Sequence, residues 1–367
     1  MEKVLAKAVY EEFYQMKAWV LTDIGEIRLE ALDKPVPGPG EVLMEVKAAG
    51  ICGSDIPRIY QTGAHVHPLI PGHEFSGIVA GTGAETEWLG KRVGVFPLIP
   101  CKSCAPCLQG DYEMCRHYNY LGSRRDGGFA EYVCVPASNL VQLPDNVSYE
   151  EAAMLEPMAV AVHAMRRVQP GNSDTVAICG MGTIGLLLLM FLLEAGIKEE
   201  LRPRRILVVG NKEFQKQEVL KLGLPEDCWC DSRKQNADDW LEEQTGGSGA
   251  DVFFECVGKQ ETLIRAVNHT SAGGRICLVG NPASDMSLER DVYWKILRNQ
   301  LTMTGTWNSS FCHKETDDWH YVLDRLARKR INPGGLVTHR LPLGELDRGF
   351  RIMRDKSEDY VKIMGIL

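Results

Sequence analysis

The sequence predicts an α/β chain of two domains, one β-rich and one built on a doubly wound parallel sheet, with the β-rich domain resuming at the C-terminus. Three observations carry this reading. At 367 residues, with 44% hydrophobic and 25% charged residues, the chain has globular composition and exceeds one typical domain. From residue 16 to about 143, short β-like runs (17–21, 42–47, 131–135) are separated by Pro and Gly turns such as Pro35-Val36-Pro37-Gly38-Pro39-Gly40. From Asp174 onward, apolar strands at 175–179, 206–209, 252–256 and 275–279 alternate with helical runs, which specifies a parallel sheet covered on both faces. After about residue 305 an amphipathic helix near 319–328 and a last strand near 361–366 are expected to rejoin the first domain. The expected domains are therefore 1–159 with 307–367, and 160–306.

Composition excludes several classes of partner. Forty-nine acidic residues against forty-one basic ones give a net charge of −8, so no electrostatic footprint for nucleic acid is present. Residues 1–15 carry Glu2, Glu11 and Glu12 and lack an apolar signal region, so the chain is expected in the cytoplasm. Twelve cysteines in such a compartment point to metal or catalysis rather than disulfides. Residues 175–193 are uncharged, but Gly180, Gly182 and Gly185 interrupt them, as in a buried strand followed by a buried helix. No membrane span is expected, and no internal repeat is visible.

The most specific local signal is Cys101-x2-Cys104-x2-Cys107-x7-Cys115. A loop this short can wrap one tetrahedral zinc, and four thiolates leave no open position for a reactant, so such a site is structural. A second set is dispersed: Cys52 in Cys52-Gly53-Ser54-Asp55, His73 and Glu74 in Gly72-His73-Glu74, and Glu156 in Leu155-Glu156-Pro157. Taken singly, His73 reads as a core histidine and Glu156 as a first-turn carboxylate. Together they offer thiolate, imidazole and carboxylate, a ligand set with room for the open position of a catalytic zinc. Asp55 is placed to fix the His73 tautomer, and the Ser54 hydroxyl to pass a proton from a reacting oxygen.

The third signal is Gly180-Met181-Gly182-Thr183-Ile184-Gly185, directly after a predicted strand and at the start of a predicted helix. In that context the glycines let the backbone approach a pyrophosphate, which rests on the helix N-terminus. A dinucleotide cofactor follows. Zinc with an open position and a dinucleotide together suggest hydride transfer from a carbinol carbon.

With these motifs in place the chain resembles the zinc-dependent medium-chain dehydrogenase/reductase family of alcohol and polyol dehydrogenases from about residue 16 to the C-terminus. Gly72-His73-Glu74-Phe75-Ser76-Gly77, the four-cysteine lobe, Leu155-Glu156-Pro157 and the Gly180 turn arrive in that family's order. The resemblance implies a GroES-like catalytic domain with a structural zinc lobe near 97–118, and a Rossmann domain for NAD or NADP. It implies catalytic zinc on Cys52, His73 and Glu156, with Glu74 as an exchanging or water-bridged ligand, and a homo-oligomer, dimer or tetramer. Residues 50–59, 63–65 and 122–132 are similar to the branch that acts on sugar alcohols and their phosphates. The expected substrate is a polyol or polyol phosphate of the galactitol-1-phosphate kind. The alternatives are a sorbitol- or threonine-dehydrogenase-like enzyme and a non-catalytic binding protein on the same fold.

Two substrate and cofactor details are legible. Arg124 and Arg125 form a basic pair whose forks match phosphate geometry, against the alternative of an ordinary surface pair bridged to carboxylates. Gly210, followed by Asn211 and Lys212, stands where an NAD site usually has an acid for the ribose 2′-OH, with Glu213 close by. NADP is therefore expected to be accepted with a slight preference, and Gly210→Asp to shift the enzyme toward NAD. Two further departures from the family pattern are the residues before Met16 and an early turn at Gly81-Thr82-Gly83.

Overall fold

The computed structural model describes residues 14–84, 86–194, 202–282 and 284–367. Of the segment preceding Met16, all but Tyr14 and Gln15 lies outside the described residues. The strands in chain order begin with β1 (Gln15–Asp23), β2 (Glu26–Asp33), β3 (Glu41–Ile51), β4 (Glu74–Thr82), β5 (Arg92–Val95) and β6 (Leu98–Ile99). Then come β7 (Asn119–Tyr120), β8 (Tyr132–Pro136), β9 (Leu140–Gln142), β10 (Thr175–Cys179), β11 (Arg205–Gly210) and β12 (Trp229–Asp231). The last are β13 (Ala250–Glu255), β14 (Thr270–Leu278), β15 (Thr302–Gly305), β16 (Val337–Pro342) and β17 (Lys362–Ile366). The chain divides into two compact units, Met1–Glu156 with Ser310–Leu367, and Pro157–Ser309.

In the first unit the main sheet has the order β16-β17-β3-β4-β5-β9, with β8 also pairing β3. β3 shows why this sequence makes a half-buried strand: Val42, Met44 and Val46 alternate inward, and from Ala48 to Ile51 every residue is covered. Apolar contacts among Met44, Phe75, Val93, Phe129 and Phe350 form its core. The antiparallel register sets Gly50 against Glu74, which carries the residues after β3 beside those before β4. β17 pairs antiparallel with β3, Ile363 against Ile51, so the C-terminal strand returns to the same place. Gly77 is required where β3 bulges, because a Cβ there would lie 2.0 Å from the Glu45 carbonyl oxygen.

The second unit is a six-stranded parallel sheet, β12-β11-β10-β13-β14-β15. Successive strands run to one side of β10 and then to the other, so a topological switch point opens at the carboxyl ends of β10 and β13. The uncharged run resolves into β10 and the helix Thr183–Glu194, whose residues from Gly185 to Leu192 are all buried. An all-round apolar helix belongs in a core. Among the described residues no helix is long and apolar enough to cross a membrane. The edge strands β12 and β15 have no distinct sequence signal, being three and four residues long.

Candidate active site

The four-cysteine lobe folds on itself. The helix Ala105–Gln109 starts after Cys104 and ends on Gly110, which takes a left-handed conformation with φ of 90°. Cys104 and Cys107 sulfurs lie 3.5 Å apart, while Cys101–Cys107 and Cys104–Cys115 are both 3.9 Å. A tetrahedron with zinc–sulfur bonds of about 2.3 Å has edges of about 3.8 Å, so the thiols already have the spacing of a four-thiolate zinc shell. The Ser103 hydroxyl beside Cys101 draws that thiol down to about 5, whereas burial pushes Cys107 up to about 12.

The dispersed set is brought together by the β3–β4 register. Ligand atoms of Cys52, His73 and Glu74 all lie within 4.8 Å of one another. Cys52 sits on a tight turn held by Asp55, whose Oδ2 accepts the Cys52 N–H at 3.0 Å and whose Oδ1 accepts from Arg58 Nη1 at 2.6 Å. Burial alone would raise the Asp55 carboxyl, but His73, Arg58 and the Cys52 amide outweigh it and hold Asp55 below its ordinary range. His73 Nδ1 lies 3.4 Å from Asp55 Oδ1, and Asp55 is the carboxylate placed to orient that ring. Ser54 Oγ donates to Cys52 Sγ at 3.3 Å.

Glu156 stands beside this group. A capping box, Ser148 with Glu151, starts the helix Tyr149–Ala153, and the chain then delivers Glu156 into the first turn of the helix Leu155–Val168. Tyr120 donates its hydroxyl to Glu156 Oε1 at 3.3 Å, and its ring centroid is 5.8 Å from that of His73. Burial, with Glu74 adding to it, pushes the Glu156 carboxyl up to about 7 against the opposing pull of His73 and Lys362.

Lys362 was not singled out in the sequence. It is 2% exposed, donates to Glu74 Oε2 at 2.5 Å and to the Ile51 carbonyl at 3.2 Å. Burial opposes its charge, but Glu74, Cys52 and Glu156 together raise its pKa. The available signal was a lone cation between Val361 and Ile363 in an otherwise apolar last strand. Tyr120 had no such signal.

The two arginines separate. Arg125 donates through Nη2 to Glu41 Oε1 at 2.5 Å and to the Cys134 carbonyl at 3.4 Å. Glu41 opens β3, whereas Cys52 follows its end, so this ion pair ties Arg125 to the strand end away from Cys52. Arg124 instead lies over the Tyr118 ring at 5.0 Å, and Tyr118 meets Tyr120 edge-on at 6.2 Å. Through these two rings it is connected toward Tyr120, whose hydroxyl reaches Glu156.

At the glycine turn each glycine has a separate reason. Gly180 has φ of 102°, and Gly185 packs so closely that a Cβ would lie 2.0 Å from the Gly180 carbonyl oxygen. Gly182 faces open space, as a backbone must to receive a pyrophosphate. Thr183 and Ile184 begin the helix that follows. Gly210 ends β11, where Ser232 N–H and Oγ donate to its carbonyl at 2.9 and 3.1 Å, and Asn211 N–H donates to Gln215 Oε1 at 3.0 Å. Lys212 is the N-cap residue of the helix Glu213–Lys221.

Comparison with known proteins places the chain. Residues 38–145 match the alcohol dehydrogenase GroES-like domain and residues 184–328 the zinc-binding dehydrogenase domain. The chain is 31% identical to galactitol 1-phosphate 5-dehydrogenase of Escherichia coli K12 over 332 residues, 89% of this chain and 92% of that one. It is 33% identical to L-idonate 5-dehydrogenase of Vitis vinifera over 343 residues, 90% of this chain and 89% of that one. A zinc-binding dehydrogenase of Sinorhizobium meliloti 1021, solved bound to NADP, superposes with a TM-score of 0.85 at 26% identity, covering 96% of this chain and 99% of that chain. With the donor sets and the glycine turn in the order of that family, the chain belongs to the zinc-dependent medium-chain dehydrogenases/reductases.

Proposed function

We propose that this enzyme transfers hydride between a secondary alcohol of a polyol or polyol phosphate and NAD(P), with Cys52, His73 and Glu156 holding catalytic zinc. The observation that carries this is the convergence of Cys52, His73 and Glu74 ligand atoms within 4.8 Å of one another, with the buried Glu156 carboxyl near enough to respond to the charges of His73 and Glu74. Glu74 is already neutralised by Lys362, whereas Glu156 accepts from the neutral Tyr120 hydroxyl, which favours Glu156 as the third ligand. When bound, zinc supplies the Lewis acidity that lets an alcohol lose its proton, and the nicotinamide supplies the hydride acceptor. Asp55 anchors the Cys52 turn through its amide and faces His73 Nδ1 at 3.4 Å, where it can orient the ring. Ser54 is the first carrier for the substrate's hydroxyl proton. In the second unit, Gly180, Gly182 and Gly185 cradle the pyrophosphate. Cys101, Cys104, Cys107 and Cys115 hold a separate structural zinc.

For the substrate, Arg124 is the group that reads a phosphate. Its guanidinium, with that of Arg58, adds to partial burial in lowering the His65 pKa, so positive potential gathers on that rim. A homo-oligomer is supported by the open edge of β15 and by the exposed Tyr293, Trp294 and Leu297 on the helix Arg290–Arg298. The deciding experiment is turnover of galactitol 1-phosphate, galactitol, L-idonate and sorbitol with each cofactor, alongside metal analysis. Two zinc ions per chain and zinc-dependent turnover of at least one polyol are expected. Full turnover after complete chelation and dialysis would overturn the reading.

A further inference from the structure

The end of β11 carries a second, more specific statement about the cofactor. Gly210 is not merely a missing acid. A Cβ built on it would lie 2.2 Å from Trp229 Cη2, 2.8 Å from Trp229 Cζ3 and 2.9 Å from Gln215 Oε1. Trp229 opens the neighbouring strand β12 and is 7% exposed, so its indole is packed and has little freedom to give way. The ring occupies the volume through which any side chain at position 210 would have to leave the backbone.

The two carboxylates that flank position 210, Asp231 and Glu213, are both committed. Asp231 pairs with Gly210 across the β11–β12 ladder. Its Oδ1 accepts from the Arg233 N–H at 3.0 Å and from Arg233 Nε at 3.1 Å, and its Oδ2 accepts from Arg233 Nη2 at 2.9 Å. The Arg233 side chain is the main reason that carboxyl falls to about 2. Glu213 accepts from Lys234 Nζ at 2.9 Å and from Gln217 Nε2 at 3.3 Å. The rim thus contains Lys212, Arg233 and Lys234 against Glu213 and Asp231, a local excess of positive charge beside two strand ends where parallel sheets bind ligands.

We propose that Trp229 is a specificity-determining residue, which excludes a ribose-binding carboxylate at position 210 and so sets the site for the 2′-phosphate of NADP. Among the described residues the acids flanking position 210, Asp231 and Glu213, are each already paired with a cation, whereas a phosphate dianion would compete with Asp231 for Arg233 and add Asn211 and Lys212. This inference rests on the dinucleotide reading of the Gly180 turn and adds the choice between the two cofactors. It also reverses the simple expectation for Gly210→Asp. With Trp229 in place the new side chain cannot seat, so the substitution costs stability without moving the preference.

Equilibrium binding tests this without turnover. NADPH and NADH are titrated by nicotinamide fluorescence, and 2′,5′-ADP and 5′-AMP by calorimetry. The unmodified protein is expected to bind NADPH and 2′,5′-ADP at least about tenfold tighter than their unphosphorylated counterparts. Arg233→Ala should erase most of that difference, both by weakening the phosphorylated ligands and by leaving the Asp231 carboxylate without its main cation. Gly210→Asp should lower Tm and weaken both cofactors, whereas Gly210→Asp with Trp229→Val should reverse the order. Tighter NADH binding by the unmodified protein, or Gly210→Asp alone reversing the preference at unchanged Tm, would overturn the proposal. If neither cofactor binds a folded protein, the dinucleotide reading itself falls, which is a separate result. Should the double variant not fold, the unmodified protein and Arg233→Ala still decide.

Discussion

The first unit contains two groups of side chains that could hold a metal ion, built on opposite plans. Cys101, Cys104, Cys107 and Cys115 lie within a single loop, and their sulfurs stand 3.5 to 3.9 Å apart in the pairs that touch. Cys52, His73, Glu74 and Glu156 come from segments more than a hundred residues apart end to end, joined by the β3–β4 register and the helix at Leu155. The loop can close around an ion with little help from the rest of the chain. The assembled group depends on strand pairing and on Lys362, which arrives from the last strand to neutralise Glu74. A local four-thiolate shell is saturated and chemically quiet, while a shell assembled from mixed donors keeps unequal carboxylates, one paired with a cation and one not. That inequality is what leaves room for chemistry.

The sharpest test of this contrast is Cys52→Ser. Turnover should fall roughly a thousandfold or more, because the main charge stabilisation of the alkoxide-like transition state is lost. Tm should move by no more than about 3 °C, since the β3–β4 pairing does not need the sulfur. A variant that keeps a tenth of the activity after exhaustive dialysis, measured by steady-state kinetics, would remove Cys52 from the catalytic role.

Next in size is Lys362→Met, which leaves the Glu74 carboxylate buried without its cation and should cost about 3–5 kcal/mol by denaturant unfolding. Adding Glu74→Gln should return most of that loss, because the stranded charge is then gone. If the single variant is as stable as the parent, the assembled site does not lean on the last strand in the way described.

The local loop is challenged by Cys104→Ser. One of two zinc equivalents should disappear from metal analysis, with a stability cost of roughly 2–5 kcal/mol, comparable to removing a covalent cross-link. The remaining folded molecules should turn over at near-parental kcat. Loss of both zinc ions together would show that the two sites are not independent.

The smallest effect separates the arginines. Arg124→Ala should raise KM for a phosphorylated polyol about tenfold while leaving the free polyol nearly unchanged, the size of one charge-assisted contact. Arg125→Ala should change neither KM, and should lower Tm through the lost ties to Glu41 and Cys134. Equal effects of Arg124→Ala on both substrates would leave no residue reading the phosphate.

Some of this was legible in the linear chain for a physical reason. The cysteine lobe and the glycine turn are local: their ligands and backbone constraints fall within fifteen and six residues, so spacing alone conveys geometry. Alternation of apolar strand and helix likewise announces a parallel sheet, because each element buries its own face. Order along the chain, matched to a family pattern, was enough to nominate Cys52, His73 and Glu156, although no spacing rule links them.

What only the folded chain revealed depends on pairing between distant segments. Lys362 acquires meaning when β17 lies beside β3, since a cation in an apolar strand is tolerated only against a buried anion. Arg124 and Arg125 are neighbours in sequence with the same chemistry, and backbone direction sends one toward Tyr118 and the other to Glu41. Gly210 reads in sequence as an absent carboxylate, but three-dimensional packing makes it a position closed by the Trp229 indole from the next strand. In each case the identity of the residue was plain, and its role was set by a steric or electrostatic partner that the chain brings near only when it folds.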